Sequence, residues 1–218
     1  MVRLDQRENI MRKLVNRVNR LKKTELKKTI DGRMEEFSYF QTATNEEVFL
    51  ELCFCSMTAN FQAKKSWEIQ QELGSKFWEL SEVELQQELK KRGHRFWPQR
   101  GTRIYEARWL KDSINSELGK FDNEIEMRDW IVKNLKGLGM KEASHFLRNI
   151  GYGDVAIIDK HIINILVAEG LIERPKTLTP KKYIEIENVL RKLGKKTNLS
   201  LGELDLYLWS EQTGKVLK

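Results

Sequence analysis

Lys141 and Asp159 place an amine and a carboxylate eighteen residues apart in a chain of 218 residues. Such a pair can supply a nucleophile and a proton acceptor, or a negative charge that stabilises a developing cation. Each residue also has an ordinary explanation: Lys141 as a solvated lysine, Asp159 as a helix N-cap, and nearby His161 as a surface or core histidine of that helix. The three residues therefore become informative only together with the elements that position them.

A glycine-containing turn directly precedes Lys141. The spacing predicts that one helix ends at Leu135 and that Gly137 and Gly139 form a tight turn, since glycine can take positive φ without steric cost. The second helix presents one apolar face, formed by Ala143, Phe146, Leu147 and Ile150. This is a helix-hairpin-helix pattern, with the hairpin at 124–150. Its backbone N–H groups can face a DNA phosphate without any side chain, so we expect Gly137 and Gly139 to contact the DNA backbone.

Positive charge is concentrated in one segment. The chain has 39 Lys and Arg against 32 Asp and Glu, and residues 90–111 alone hold eight against one, a net +7 equal to that of the whole chain. A loop inside this segment carries Arg95, Phe96 and Trp97. A focused basic patch indicates a polyanion partner, although a solvated helix face would have the same composition. We expect four arginines of the segment to grip the DNA backbone: Arg92, Arg95, Arg100 and Arg103.

Helical periodicity dominates the sequence and only three prolines interrupt it, so we expect an all-α fold. No composition break separates independent domains, and we interpret residues 1–218 as one unit of two interlocking helical lobes with the site in the cleft between them. Apolar residues at helical spacing predict a continuous helix through Ile104, Ala107, Leu110 and Ile114. Further helices are predicted at 124–135, 160–169, 180–193 and 201–212.

The block from the hairpin to Asp159 resembles the helix-hairpin-helix DNA glycosylase superfamily. The matching pattern is a G-h-G turn, Lys141, an alanine two residues later, and Asp159 after a Gly-rich loop and an apolar stretch. The ending YLWSEQTGKVLK and the segment ELCFCSMTANFQA are similar to the archaeal-type 8-oxoguanine DNA glycosylase/AP lyases. The resemblance extends from about residue 40 to Lys218 and is loose over residues 1–40 and 62–92.

That resemblance implies roles for the pair. Lys141 would attack the anomeric carbon of a flipped-out nucleotide as a neutral amine and form a Schiff base, after which β-elimination nicks the strand. Asp159 would accept the proton or stabilise the oxocarbenium charge, and both roles remain open. His161 would contact the DNA backbone near the lesion. Carbonyl groups near Gly137 and Gly139 would hold a structural monovalent cation, with no catalytic metal and no cofactor.

The resemblance also implies a pocket for the damaged base. Lys218, Trp209 and Phe96 would form it, while Phe96 or Trp97 could instead be the wedge that fills the gap left by the flipped nucleotide. The ordinary explanations are core packing for Trp209 and a frayed end for Lys218. An acceptor facing ring nitrogen 7 would select 8-oxoguanine, because only the lesion carries a hydrogen there.

Two alternatives concern function. One is a glycosylase/lyase for another oxidised base, such as the endonuclease III-like enzymes, but Cys53 and Cys55 are the only cysteines and cannot ligate their four-cysteine iron–sulfur cluster. The other is a non-catalytic helix-hairpin-helix module. No run of about 18 apolar residues and no signal peptide is visible. We therefore expect a cytoplasmic monomer, associated with the nucleoid if the source is prokaryotic, whose partner is damaged double-stranded DNA, with no membrane partner.

Overall fold

The computed structural model describes residues 4–214 and 216. Within these residues the chain is all-helical and contains no strand, which confirms the predicted all-α class. The helices in chain order are α1 (Leu4–Leu21), α2 (Leu26–Tyr39), α3 (Asn45–Thr58), α4 (Ala63–Leu73), α5 (Lys76–Glu79), α6 (Glu82–Lys91), α7 (Trp97–Glu106), α8 (Ile114–Leu118), α9 (Glu124–Asn134), α10 (Met140–Asn149), α11 (Lys160–Ala168), α12 (Pro180–Thr197) and α13 (Leu201–Thr213). Short 3-10 helices occupy Phe40–Thr42 and Ala107–Leu110. No described helix is both long and apolar enough to cross a bilayer.

The predicted continuous helix through 104–114 is wrong. α7 ends at Glu106, a 3-10 turn follows, and α8 begins at Ile114. The apolar residues at these positions are nevertheless all buried. A 3-10 turn eclipses residues i and i+3, so it keeps Ala107 and Leu110 on the side that an α-helix would have buried. The apolar spacing therefore predicted burial correctly and helix continuity incorrectly.

The chain separates into two compact units. One contains the described residues of 1–36 and 152–216, and the other contains residues 37–151. The second unit is built around α3, which is buried from Val48 to Thr58 except at Leu50. α3 is apolar on most of its circumference because helices of the same unit pack around it.

A buried polar network joins α3 to α10. The Asn149 amide donates to Glu51 Oε1 at 2.6 Å, while Arg148 Nε and Nη2 donate to Asn149 Oδ1 at 3.1 and 2.9 Å. All three side chains are buried, so each charge must be paired within the protein. The network fixes the axial position of α10, and with it the position of Lys141 at the start of that helix.

The first unit packs α1 against α12 and α13, and α11 against α13. Arg17 of α1 forms ion pairs with Glu169 at 2.5 Å and Glu211 at 3.0 Å. Between α10 and α11 the chain is extended, and Val155, Ala156, Ile157 and Ile158 are buried. This extended stretch delivers the chain to Asp159.

Candidate functional site

The hairpin turn lies between α9 and α10. α9 ends where the sequence predicts, with Leu135 as its C-cap, and the Leu138 amide donates to the Leu135 carbonyl at 3.2 Å. Gly137 has φ +84°, a conformation that L-residues rarely adopt. Gly139 has φ −84° and ψ −177°, which is extended backbone open to any residue. The expected use of positive φ is therefore confirmed at Gly137 and wrong at Gly139.

The N-terminus of α10 has no side-chain cap. Gly139 is its N-cap residue and supplies no side chain. Side-chain caps are also missing from α4, α5, α7 and α8, whereas α3, α6, α9, α11, α12 and α13 have one. The turn glycines are exposed. The free amides of the first turn and the positive end of the helix dipole together suit an anionic oxygen.

Lys141 occupies the second position of α10. Its side chain is 30% exposed and its Nζ lies 3.5 Å from Glu142 Oε1, at the outer limit of a hydrogen bond. The opposite face of the helix is buried through Ala143, Phe146 and Leu147. The helix therefore fixes the Cα of Lys141, while its amine is partly shielded from water and has one weak contact within the described protein.

The aromatic loop lies at the start of α7. Phe96 and Trp97 are half-buried, and Arg95 is exposed. The Arg95 guanidinium carbon lies 5.0 Å from the Phe96 ring centroid, and Lys90 Nζ lies 5.1 Å from the Trp97 ring centroid. These are cation–π distances. Two aromatic rings, each with a cation beside it, form a surface that can stack on a base and neutralise a phosphate.

Not all cations of the basic segment face solvent. Arg100 is only 4% exposed and donates to the Ala59 carbonyl at 2.9 Å, and burial together with the nearby Arg103 lowers the pKa of Arg100. Arg92 is paired with Glu72 at 2.8 Å and with Glu88. The prediction that Arg100 contacts DNA is therefore wrong, because its guanidinium is buried. The contact predicted for Arg92 stays a prediction, which its two ion pairs do not favour. Arg95 and Arg103 have no acidic partner among the described residues.

The basic segment adjoins the hairpin turn in the same unit. Lys136, beside the turn, pairs with Glu106 of α7 at 2.9 Å. The side chain of Arg103, also from α7, covers Gly137. The two features predicted to contact DNA thus form one continuous surface.

In the other unit, Asp159 caps α11. Its Oδ1 accepts hydrogen bonds from the amides of His161 at 2.8 Å and Ile162 at 2.9 Å. Its second oxygen accepts no hydrogen bond from the described part of the chain. The side chain is partly exposed. One oxygen therefore fixes the carboxylate while the other remains available for chemistry, so the structural and the catalytic explanations of Asp159 are compatible.

Two side chains of α12 bind the backbone of the extended stretch 155–158, which directly precedes Asp159. The Tyr183 hydroxyl donates to the Ala156 carbonyl at 2.6 Å and accepts from the Ile158 amide at 3.2 Å. Glu187 Oε1 accepts from the Ala156 amide at 2.7 Å. These partners satisfy buried backbone groups that have no helix or sheet to bind them. The sequence reasoning missed Tyr183 and Glu187, since no local pattern connects them to a stretch about thirty residues earlier.

His161 and Trp209 are neighbours in that unit. Their ring centroids lie 6.3 Å apart in an edge-to-face arrangement, and both side chains are half-buried. Trp209 is therefore not fully buried in the core, so part of its side chain remains accessible for contact. Lys218, the remaining predicted pocket residue, lies outside the described residues.

Comparisons with known proteins agree on one family. A family model described as 8-oxoguanine DNA glycosylase matches residues 30–199. The 8-oxoguanine DNA glycosylase/AP lyase of Methanocaldococcus jannaschii is 50% identical over 206 residues, 94% of this chain and 99% of that protein. Its counterpart in Korarchaeum cryptofilum is 47% identical over 206 residues, 94% of this chain and 98% of that one.

Solved structures give the same result. The crystal structure of the Methanocaldococcus jannaschii enzyme with a 15mer DNA containing 8-oxoguanine has a TM-score of 0.91 and 50% identity, covering 94% of this chain and 99% of that one. The 8-oxoguanine DNA glycosylase of Thermotoga maritima has a TM-score of 0.88 and 38% identity, covering 95% and 100%.

Proposed function

Because the chain belongs to the 8-oxoguanine DNA glycosylase family, it is a DNA glycosylase and abasic-site lyase of base-excision repair, and we propose that Lys141 and Asp159 carry its chemistry. The observation that carries this assignment is the placement of Lys141. Its amine stands in the first turn of an uncapped helix, directly after the hairpin turn, with one long contact to Glu142. Family membership sets aside the non-catalytic module.

Lys141 is the nucleophile of the glycosylase step, and the Schiff base that it forms makes the lyase step possible. Its neutral amine attacks C1′ of the flipped 2′-deoxynucleotide, the glycosidic bond breaks, and the base leaves with the electron pair and takes up a proton. Loss of the amine proton and opening of the sugar give a Schiff base between Nζ and C1′. Removal of a proton from C2′ then expels the 3′ phosphate oxygen, and the strand is nicked.

Asp159 supports the first step with its free carboxylate oxygen. A carboxylate here either accepts the proton from Lys141 or stabilises the positive charge that develops on the sugar. The two amide hydrogen bonds to Oδ1 hold the carboxylate in place, so its second oxygen keeps a fixed position.

The hairpin and the basic segment bind the backbone. We infer that the amides at Gly137 and Gly139, together with Arg95 and Arg103, contact DNA phosphates, and that His161 also contacts the DNA backbone. The relative solved with 8-oxoguanine DNA supports damaged DNA as the partner. A monovalent cation at the hairpin carbonyls, a monomeric state and a cytoplasmic, nucleoid-associated location stay predictions.

The damaged base lies against aromatic rings. We infer that Trp209 and Phe96 each contact the damaged base, while the alternative that Phe96 or Trp97 is the wedge stays open. The predicted role of Lys218 in the base pocket stays a prediction. Stacking on such rings contributes about 1–3 kcal/mol per base. Recognition of the hydrogen on ring nitrogen 7 requires an acceptor, because guanine presents a lone pair at that position.

Borohydride trapping tests the assignment. Reduction of the Schiff base converts it to a stable amine, so wild-type protein incubated with an 8-oxoguanine duplex should form a covalent adduct. Lys141→Gln should form none. Lys136→Gln is the matched control, since Lys136 also lies beside the hairpin turn but is paired with Glu106, and it should trap like the wild type. Full trapping by Lys141→Gln would overturn the assignment of the nucleophile.

A further inference from the structure

His94 is buried beneath the aromatic loop. It is 1% exposed, and its ring stacks on Phe61 with centroids 4.2 Å apart. Both ring nitrogens are bonded: Nε2 lies 3.1 Å from the Met57 carbonyl oxygen, and Nδ1 lies 3.2 Å from the Phe96 amide. A buried imidazole that uses both nitrogens is fixed in position and orientation.

The two bonds determine its tautomer. An amide can only donate, so Nδ1 must be the unprotonated acceptor of the Phe96 N–H, and Nε2 must carry the proton that is donated to the Met57 carbonyl. The bond from residue i to the amide of i+2 is the one that an Asx turn makes. Burial and the nearby Arg100 charge lower the pKa of His94, and both favour this neutral form.

The anchor for this imidazole is the C-terminal end of α3. The carbonyls at a helix end have no intrahelical partner. Met57 accepts from His94 and Ala59 accepts from Arg100 Nη2, whose guanidinium lies 5.8 Å from the Phe96 ring centroid. Two side chains of the basic segment therefore tie the loop to the most buried helix of its unit.

We propose that His94 is a positioning residue for Phe96: it connects the Phe96 backbone to α3 and so holds the aromatic ring where it meets the extruded base or the gap in the stack. This inference rests on the proposed role of Phe96 in damage recognition. His94 itself touches no substrate. A misplaced contact group costs rate even when the chemistry is intact, because the substrate is no longer held in a reactive geometry.

Two substitutions separate the two bonds of the ring. The Asn side chain oxygen takes the place of Nδ1, so His94→Asn keeps the acceptor for the Phe96 amide and loses the bond to Met57. The Gln amide nitrogen takes the place of Nε2, so His94→Gln keeps the bond to Met57 and loses the acceptor. If His94 acts through Phe96, His94→Gln lowers single-turnover excision of 8-oxoguanine about tenfold, and His94→Asn restores most of that rate.

A double-mutant cycle shows whether the effect passes through Phe96. Excision is measured for the wild type, His94→Gln, Phe96→Ala and the double variant. In the proposed arrangement Phe96→Ala slows excision and His94→Gln adds little to it, because the ring it would misplace is gone. A merely structural role predicts that the two effects multiply, and this result would overturn the proposal. If His94→Gln does not fold at the assay temperature, the same cycle is measured at a lower temperature at which the variant is folded, and full multiplication there again contradicts the proposal.

The same measurements distinguish a failure of the positioning role of His94 from a failure of the recognition role of Phe96. If Phe96→Ala excises at the wild-type rate, the role of Phe96 in recognition fails and the positioning role fails with it. If Phe96→Ala is slow but His94→Gln is as fast as the wild type, only the positioning role fails. Borohydride trapping of the wild type reports the lyase chemistry independently of both results.

Discussion

The side chain of Arg103 covers Gly137. A Cβ on Gly137 would overlap the Cδ, Nε and Cζ atoms of Arg103, so the guanidinium lies where a side chain on the turn would otherwise stand. Gly137 also has φ +84°. The same glycine therefore meets two demands: it forms the turn, and it lets a cation from α7 lie flat on the hairpin. This contact joins a charge to the amides of α10 in one phosphate-binding surface.

We expect Gly137→Ala to weaken DNA binding beyond its effect on stability. The left-handed conformation costs an L-residue roughly 1–2 kcal/mol, and the new methyl group displaces Arg103 from the hairpin. Gly170→Ala is the matched control, since Gly170 has φ +71° and its Cβ would meet only Ile10, at an ordinary contact distance of 3.6 Å. Urea unfolding should show similar losses for both variants, and fluorescence anisotropy with duplex DNA should show weaker binding for Gly137→Ala alone. Equal binding by the two variants would contradict a phosphate-binding surface formed by Arg103 and the amides of α10.

Asp159→Asn should distinguish the contribution of Asp159 to helix capping from its contribution to catalysis. Asn is as good an N-cap as Asp, so the stability of α11 is retained, whereas Asp159→Ala loses about 1 kcal/mol of unfolding free energy. Both variants should excise 8-oxoguanine about 100-fold or more slowly, as expected when a proton-transfer or charge-stabilising group is removed. Thermal melts and single-turnover assays measure the two effects. Normal turnover by Asp159→Asn would leave Asp159 as a cap alone.

The salt dependence of binding should identify the cations that face DNA. Arg95→Ala and Arg103→Ala should each reduce the slope of log K against log salt by about one, because each removes one phosphate contact. Arg92→Ala is the control, since Arg92 is already paired with Glu72 and Glu88, and it should leave the slope unchanged. If Arg92→Ala lowers the slope as much as Arg95→Ala does, the distinction between paired arginines and arginines that face DNA is wrong.

Tyr183→Phe should lower both stability and excision. It leaves the buried Ala156 carbonyl and Ile158 amide without their partner, at a cost of about 1–3 kcal/mol, and loosens the stretch before Asp159. Tyr207→Phe provides the comparison, because the Tyr207 hydroxyl is buried without a hydrogen-bond partner among the described residues, and burial raises its pKa to about 12. Removing that hydroxyl should leave stability equal or higher. A Tyr207→Phe loss as large as that of Tyr183→Phe would contradict this account.

The stability of the fold should fall on acidification partly through His94. Burial lowers the pKa of His94 below its ordinary value near 6.5, so the folded state binds this proton less readily than the unfolded chain. The stabilisation is complete above pH 6.5 and is lost as the pH falls through the folded-state pKa. Urea unfolding at about pH 7.5 and pH 5 should show a larger loss for the wild type than for His94→Asn. Equal losses would show that His94 is not the titrating group.

The site was partly predictable because some of its determinants are local. Asp159 could be identified as an N-cap, and Gly137 as the turn residue, from neighbours within a few positions. Which arginines of the basic segment are buried and which face DNA could not be predicted from the sequence. Arg100 and Arg103 are both arginines of α7, three residues apart. Arg100 is nevertheless buried and donates to the Ala59 carbonyl, whereas Arg103 lies against the hairpin turn. Charge counts do not distinguish a cation that faces DNA from one that caps a helix end.

The sequence by itself determined the helical class, the hairpin, the cap at Asp159 and the segment that carries the net charge. These follow from periodicity, glycine conformation and capping, which act over a few residues. Only the tertiary structure decided that His94 connects the aromatic loop to α3, that Tyr183 supports the stretch before Asp159, and that Arg103 covers Gly137. Each of these contacts joins segments more than twenty residues apart, so it depends on how the helices of one unit pack, which no local pattern records.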